Sequence, residues 1–156
     1  MRGWGGNFSR SGAETGAVAP EPVLLDSSAV FALIEDELGA DRVEEVLRSG
    51  RAFLPWLALL EVHTITRQEA GDDEANRRLA LLKKAGCEIV WDLDESLVLS
   101  ASALKAGHRL SLADALVAAY ARRLDAILLH KDPEFEPLAG SLRLEALPYK
   151  ASVSEG

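Results

Sequence analysis

Cysteine is nearly absent from this sequence, which has only Cys87 among 156 residues. A single thiol cannot form an internal disulfide and is too few for a cysteine-based metal site, which fits a reducing compartment. We interpret Cys87 as a small buried residue. No stretch approaches the roughly 18 consecutive apolar residues of a membrane helix, and no apolar N-terminal segment resembles a secretory signal. We therefore expect a cytoplasmic protein that does not bind a membrane.

Basic side chains are also scarce, with 17 Lys and Arg against 25 Asp and Glu and a formal net charge of -8. This balance excludes nucleic-acid binding through a broad basic face, which needs many cations in one place. Any contact with phosphate must be local or carried by a bound cation. The apolar and charged fractions, 48% and 27%, are those of a globular domain.

The composition changes along the chain. Five of the twelve glycines lie in the first sixteen residues, and no apolar period precedes Val23. We predict a flexible leader over residues 1–21, one domain over residues 22–150 and a short tail over residues 151–156.

Short apolar runs alternate with helical stretches through the predicted domain. Runs typical of strands cover residues 23–25, 52–54, 88–91 and 126–129, with a fifth candidate at 143–147. Strands separated by helices indicate right-handed βαβ crossovers and a parallel sheet covered on both faces. The sequence thus predicts an α/β fold, a three-layer sandwich whose central, mainly parallel sheet has four to five strands.

Four acids differ from the solvated acidic runs because each lies inside or directly after an apolar segment: Asp26, Glu61, Asp114 and Asp132. Asp26 directly follows the first strand, and Asp132 follows the fourth by three residues, before Pro133. A helix N-cap explains either one by itself, because Asp accepts hydrogen bonds from free backbone N–H groups. Both also fall at the carboxyl edge of the sheet, where α/β proteins bind ligands.

The other two acids lie within predicted helices. Glu61 is on the apolar side of the helix 56–70, between Leu57 and Ile65, so we expect it to face inward. It would then belong to a functional site, be neutralised by a core Arg or extend to the edge of the core. Asp114 is the only charged residue between positions 111 and 121, in a segment that is apolar on nearly every face. With Ser111 it matches a capping box, which competes with a functional role.

The convergence of these acids is the alternative to four separate local explanations. Desolvated carboxylates that lie close together repel one another unless a divalent cation holds them. An oxygen-only ligand set without cysteine suits Mg²⁺ or Mn²⁺ better than Zn²⁺. Such a site would serve phosphodiester chemistry, because the cation polarises the phosphate and activates water.

Four motifs in this order resemble the PIN domain, and within that family the VapC-type toxin ribonucleases of toxin–antitoxin pairs. The resemblance covers roughly residues 22–147. Its most specific part is the string Leu-Ser-Leu-Ala-Asp-Ala that ends at Ala115; the others are Leu24-Leu25-Asp26-Ser27-Ser28-Ala29, Leu60-Glu61-Val62 and Lys131-Asp132-Pro133-Glu134-Phe135.

The resemblance implies a function and roles for the four acids. Family members cleave RNA with Mg²⁺ or Mn²⁺ and are restrained by an antitoxin, here a VapB-like partner, and we expect a homodimer. Asp26, Glu61, Asp114 and Asp132 would be the catalytic, metal-holding acids, with Ser28 supporting the first. One departure is visible: where the family often has Thr or Ser two places before the fourth acid, this sequence has His130.

Other residues have weaker signals. Arg109 and Lys131 are close in sequence to two of the acids, so either could contact an RNA phosphate or belong to an ordinary polar loop. We interpret His108 as a loop residue and exclude His63 as a ligand, because it lies about 160° around the helix from Glu61. Trp56 and Trp91 follow no stacking pattern and are predicted to lie in the core.

Two other functions compete with the ribonuclease. The first is a catalytically inert PIN-like module that binds a protein and uses its acids as helix caps. The second is a receiver-type phosphoacceptor, which needs an acidic pair after the first strand and Lys-Pro after the last. This chain instead has Asp26-Ser27 and Lys131-Asp132 at those places, which disfavours the receiver.

Overall fold

The structure is a computed structural model that describes residues 19–150. The strands are β1 (Val23–Leu25), β2 (Ala52–Pro55), β3 (Glu88–Val90), β4 (Ile127–His130) and β5 (Leu144–Ala146). The helices are α1 (Ser27–Ile34), α2 (Ala40–Arg48), α3 (Trp56–Ala70), α4 (Asp72–Lys84), α5 (Glu95–Gly107), α6 (Leu112–Arg123) and a 3₁₀ helix (Pro133–Leu138). Most of the predicted leader and all of the predicted tail lie outside the described residues. No described helix combines the length and hydrophobicity that crossing a membrane requires.

The five strands form one parallel sheet in the order β3-β2-β1-β4-β5. The central strand is β1, in which Leu24 lies opposite Phe53 of β2 and Leu128 of β4. Because all strands run the same way, their carboxyl ends meet at one edge. The predicted parallel sheet is confirmed, and it includes the fifth strand.

Apolar side chains fill both faces of the sheet, since neighbouring residues of a strand point to opposite sides. Val23 and Leu25 of β1 pack in one cluster with α1, α2 and α3. Leu24 belongs to a second cluster with α5, α6 and the 3₁₀ helix. In β4, Leu129 belongs to the first cluster and Leu128 to the second. The predicted three-layer arrangement is therefore confirmed.

The first helix ends at Ile34. Asp36 has φ +50°, and its N–H and that of Glu37 donate to carbonyls of the last helical turn at 3.3 and 2.8 Å. A left-handed residue with these two bonds is a Schellman end, and Asp tolerates that conformation better than most residues. The chain then forms the loop that leads to α2.

The predictions for cysteine and tryptophan have mixed outcomes. Cys87 is buried, as predicted, and burial raises the pKa of its thiol to about 12. Trp56 is partly buried against the second cluster, and its indole Nε1 donates to the Tyr120 hydroxyl at 2.8 Å. The prediction that Trp91 lies in the core is wrong, because this side chain is 63% exposed. It follows β3, an edge strand that already ends at Val90.

Candidate active site

Asp26 lies at the carboxyl end of the central strand and is only 5% exposed. Its backbone N–H donates to Leu129 O at 3.0 Å, which continues the pairing of β1 with β4. Its carboxylate caps α1, accepting from the Ser28 N–H at 3.2 Å and from the Ser28 hydroxyl at 2.6 Å. The same hydroxyl accepts from the Lys131 N–H at 2.8 Å. Ser28 thus joins Asp26 to the loop after β4, consistent with the supporting role predicted for it.

The charge on Asp26 is disfavoured despite these hydrogen bonds. Burial is the largest cause of its raised pKa, the bonds from Ser28 lower it, and the negative charge of Glu61 raises it further. Glu61 therefore lies close enough to Asp26 for its charge to act on that carboxylate. Our prediction that Glu61 points into the core is nevertheless wrong, because its side chain is exposed.

The direction of Glu61 follows from how α3 packs. The buried residues of this helix are Ala58, Leu59, Val62 and Thr66. The buried face is therefore rotated away from the line through positions 57, 61 and 65 on which the inward prediction depended, and Glu61 is left at the margin of the interface.

Asp114 occupies the first turn of α6 and is half-buried. Ser111 caps this helix, its hydroxyl accepting from the Asp114 N–H at 3.1 Å, so the capping part of the prediction is correct. Burial raises the pKa of Asp114 to about 6, bonding to Ser111 opposes the rise, and the charges of Asp26, Asp132 and Glu134 add to it. Asp114 therefore takes part in a local helix cap and is also repelled by acids that are distant in sequence.

The loop after β4 brings two acids to Asp114. Asp132 caps the 3₁₀ helix by accepting from the Glu134 N–H at 2.9 Å, and Pro133 takes the first helical position, as predicted. Carboxylate oxygens of Asp114, Asp132 and Glu134 all lie within 4.8 Å of one another. Sequence reasoning missed Glu134 as a site residue; its position two residues after Asp132 in a tight turn was the available signal.

His130 precedes this turn and is 1% exposed. Its Nδ1 accepts from the Asp132 N–H at 3.2 Å, and its ring packs edge-on against Phe135 at 5.3 Å. Burial lowers its pKa, which favours the neutral ring that this bond requires. His130 therefore fixes the Asp132 backbone even though it replaces the Thr or Ser of the resembling family.

The two predicted phosphate contacts have different surroundings. The Lys131 ammonium donates to the Glu37 carboxylate at 2.8 Å and to Leu38 O at 3.1 Å, and its side chain is only 6% exposed. We therefore remove Lys131 from the candidate phosphate contacts. Arg109 is exposed in the loop before α6, so it stays a candidate.

A cleft of about 400 Å³ lies beside the acids. It is lined by Ser28, Phe31, Glu37, Lys131, Pro133, Tyr149 and Lys150. Its volume is within the range of roughly 300–1,000 Å³ that is typical of ligand pockets. Ser28 contacts Asp26, and Pro133 follows Asp132, so the cleft adjoins the acidic edge.

Comparison with known protein families identifies this arrangement. Residues 23–140 match the family model described as "PIN domain". The chain belongs to the PIN-domain family. No curated protein sequence matches this PIN domain significantly.

Solved structures share the fold of this PIN domain. It is similar to VapBC-1 from nontypeable Haemophilus influenzae, with 18% identity, a TM-score of 0.65, and coverage of 80% of this chain and 96% of that one. VapBC2 from Rickettsia felis, bound to a promoter DNA fragment, gives 17% identity, a TM-score of 0.65, and coverage of 81% and 98%. VapBC-5 from Mycobacterium tuberculosis gives 23% identity, a TM-score of 0.56, and coverage of 82% of this chain and 98% of that one.

The donor chemistry of this PIN domain fits a divalent cation. Asp114, Asp132 and Glu134 offer only carboxylate oxygens, the ligands that hard cations prefer. Burial and neighbouring carboxylates raise the pKa values of Asp26 and Asp114, and no basic side chain of the described residues is among the main causes that act on either acid. A divalent cation bound to these oxygens would balance their charge.

Proposed function

We propose that this PIN domain is a metal-dependent endoribonuclease and the toxin of a toxin–antitoxin pair of the VapC type. The observation that carries this proposal is that carboxylate oxygens of Asp114, Asp132 and Glu134 lie within 4.8 Å of one another. The charge of Asp26 also acts on Asp114, and that of Glu61 acts on Asp26. Five capping or surface acids with independent roles have no reason to converge in this way.

In this proposal Asp26, Glu61, Asp114 and Asp132 hold Mg²⁺ or Mn²⁺. Glu134 adds a further carboxylate oxygen beside those of Asp114 and Asp132. The chemistry that such a cation supplies is polarisation of a phosphodiester and activation of water for its hydrolysis. The protein orients the acids through the hydroxyl of Ser28, the cap from Ser111 and the ring of His130. RNA would occupy the adjoining cleft.

Cleavage of total RNA in Mn²⁺ and in EDTA tests the nuclease proposal. The decisive variant is Asp26→Asn, which retains a good N-cap while removing the charge. Asp94→Asn is the matched control, because Asp94 caps α5 by accepting from the Leu97 N–H at 2.9 Å but pairs with Arg123 away from the site. We expect Mn²⁺-dependent cleavage by wild type and Asp94→Asn, and none by Asp26→Asn. An inactive wild type, or an active Asp26→Asn variant, would contradict the proposal.

We further propose a small antitoxin that silences the site with a basic side chain. An unbalanced carboxylate cluster attracts Arg, which pairs with carboxylates through two parallel hydrogen bonds. The structural neighbours include a toxin–antitoxin complex from Klebsiella pneumoniae, which supports a partner of this kind. Expression without the partner should arrest growth. If the product of the adjacent gene neither co-purifies nor relieves the arrest, the partner proposal fails while the nuclease proposal stands.

We also propose that the protein is a homodimer and acts in the cytoplasm. Exposed apolar side chains at the end of β3 and on α5 support an interface: Trp91, Leu93, Val98 and Leu99. Light scattering should give twice the monomer mass, and Leu99→Lys should reduce it to the monomer value. A wild-type monomer at micromolar concentration would contradict this part.

An inert PIN-like binding module is the second candidate, favoured by the caps that Asp26 and Asp132 form. Such a module would bind its partner without degrading RNA, and neutralising either acid would change only stability. The RNA assay above separates the two candidates.

A further inference from the structure

Lys131 lies between the two strand-end acids of the candidate site. Its backbone N–H donates to the Ser28 hydroxyl at 2.8 Å, and that hydroxyl donates to Asp26 Oδ2 at 2.6 Å. The next residue in the chain is Asp132. A displacement of Lys131 would therefore change the placement of both acids.

The side chain of Lys131 is anchored to the loop between α1 and α2, at the wall of the cleft beside the acids. Its ammonium donates to Glu37 Oε2 at 2.8 Å and to Leu38 O at 3.1 Å, in the loop between α1 and α2. Only 6% of the Lys131 side chain and 22% of the Glu37 side chain are exposed. Hydrogen bonds to charged groups at such low exposure are stronger than those at the surface.

Glu37 also pairs with a second lysine, Lys150, whose Nζ lies 3.2 Å from Glu37 Oε1. The Lys150 side chain is 77% exposed. The Lys131 bond is the largest cause of the lowered pKa of Glu37, ahead of the bond from Lys150. Two lysines thus bind the Glu37 carboxylate. Of these, Lys131 is joined to the site, because its backbone N–H binds Ser28 and the next residue is Asp132.

We propose that Lys131 is a positioning residue, clamped by Glu37, that holds Asp26 and Asp132 at the spacing metal binding requires. This inference rests on the proposed function, and its direct test measures metal binding alone. A phosphate-binding Lys131 is the competing role, and it requires the ammonium to leave Glu37.

Variants of both partners separate these roles. If Glu37 positions Lys131, then Lys131→Met and Glu37→Gln should each weaken Mn²⁺ affinity, measured calorimetrically, by roughly 10- to 100-fold, as loss of a supporting contact does at metal sites. Lys131→Arg should restore most of the affinity. Lys150→Met, the matched control, should leave Mn²⁺ affinity within about twofold of wild type.

The double variant Lys131→Met/Glu37→Gln tests the clamp as a unit. Its loss of Mn²⁺ affinity should be no larger than that of either single variant, since both remove the same contact. Additive losses would overturn the clamp. Circular dichroism and melting temperature identify variants that fail to fold, and Lys131→Arg then carries the test through its own Mn²⁺ affinity.

RNA binding in EDTA excludes or supports the competing role. A positioning Lys131 predicts that Lys131→Met does not change RNA affinity or its salt dependence. Weaker RNA binding by Lys131→Met with unchanged Mn²⁺ affinity would overturn the proposal in favour of a phosphate contact. If wild type binds Mn²⁺ but cleaves no RNA, the proposed function fails while the positioning role of Lys131 is still measured by Mn²⁺ affinity.

Discussion

Acidic side chains behave differently in two regions of this molecule. On α4, Glu74 accepts from Arg77 at 2.7 and 2.8 Å and from Arg78 at 3.2 Å, and these cations lower its pKa to about 2. At the carboxyl edge of the sheet, burial and three neighbouring acids raise the pKa of Asp114 to about 6. The same functional group is stabilised as an anion in one region and destabilised in the other.

This difference identifies where the protein leaves negative charge uncompensated. On α4, arginines of the same helix balance the charge of Glu74, so this carboxylate needs no ligand. The sheet edge brings carboxylates together from β1, α3, α6 and the loop after β4, with the nearby Lys131 ammonium committed to Glu37. Of these two regions, the carboxyl edge of the sheet is therefore the one whose carboxylates are free to bind a cation.

The largest expected effect is on catalysis. Asp114→Asn should reduce RNA cleavage in Mn²⁺ by roughly 10²–10³-fold, the loss typical of removing one electrostatic group from an active site. Glu74→Gln should leave the rate within about twofold, because its charge is already balanced. Initial rates on a single defined RNA measure both. Equal losses in the two variants would remove the distinction between the regions.

The next effect is on the stability of the metal-free protein. The pKa of Asp114 is raised from 3.8 to about 6, so the folded state holds this proton more tightly than the unfolded state, and stability should fall as pH rises from about 4 to 6. The pKa of Glu74 is lowered from 4.5, so its contribution is present above pH 4.5 and should be lost as pH falls.

Urea unfolding in EDTA checks both signs. Asp114→Asn should raise the stability of the metal-free protein at pH 7 and reduce its decline between pH 4 and 6, because Asp26, whose pKa is also raised, still contributes. Glu74→Gln should slightly lower stability at pH 7. A metal-free Asp114→Asn protein that is less stable than wild type, by about 0.3–1 kcal/mol, would return Asp114 to a capping role.

The smallest effect concerns cations outside the acidic edge. Arg109→Gln should weaken RNA binding a few-fold and reduce its salt dependence by about one ion, as loss of one phosphate contact does. Arg77→Gln, on the compensated surface, should change neither quantity. Binding measured at two salt concentrations gives both values, and equal behaviour of the two variants would remove Arg109 from the interface.

The sequence predicted most of the architecture because its local signals agreed. β1 reads as an apolar run, and both glycine and capping residues mark helix ends. Asp26 and Asp132 could be placed at one edge because parallel strands bring their carboxyl ends together. The topology placed only these two acids, whereas the roles of Glu61 and Asp114 beside them were implied by the resemblance to the PIN domain.

The errors have a common physical origin in side-chain direction. The packed face of α3 is set by contacts that no single-helix pattern contains, so Glu61 was placed inside. Trp91 was assigned to the core because hydrophobicity does not reveal that β3 is an edge strand. The Lys131–Glu37 pair joins residues 94 positions apart, a contact that sequence spacing cannot indicate.

Titration of Mn²⁺ into the metal-free protein by calorimetry tests the central claim, that the acidic edge is a cation site, most directly. Wild type and Glu74→Gln should show saturable binding of equal affinity, accompanied by a higher melting temperature. Asp26→Asn and Asp114→Asn should lose most of both effects. Binding of equal strength in all four proteins, or no binding to wild type, would contradict the account.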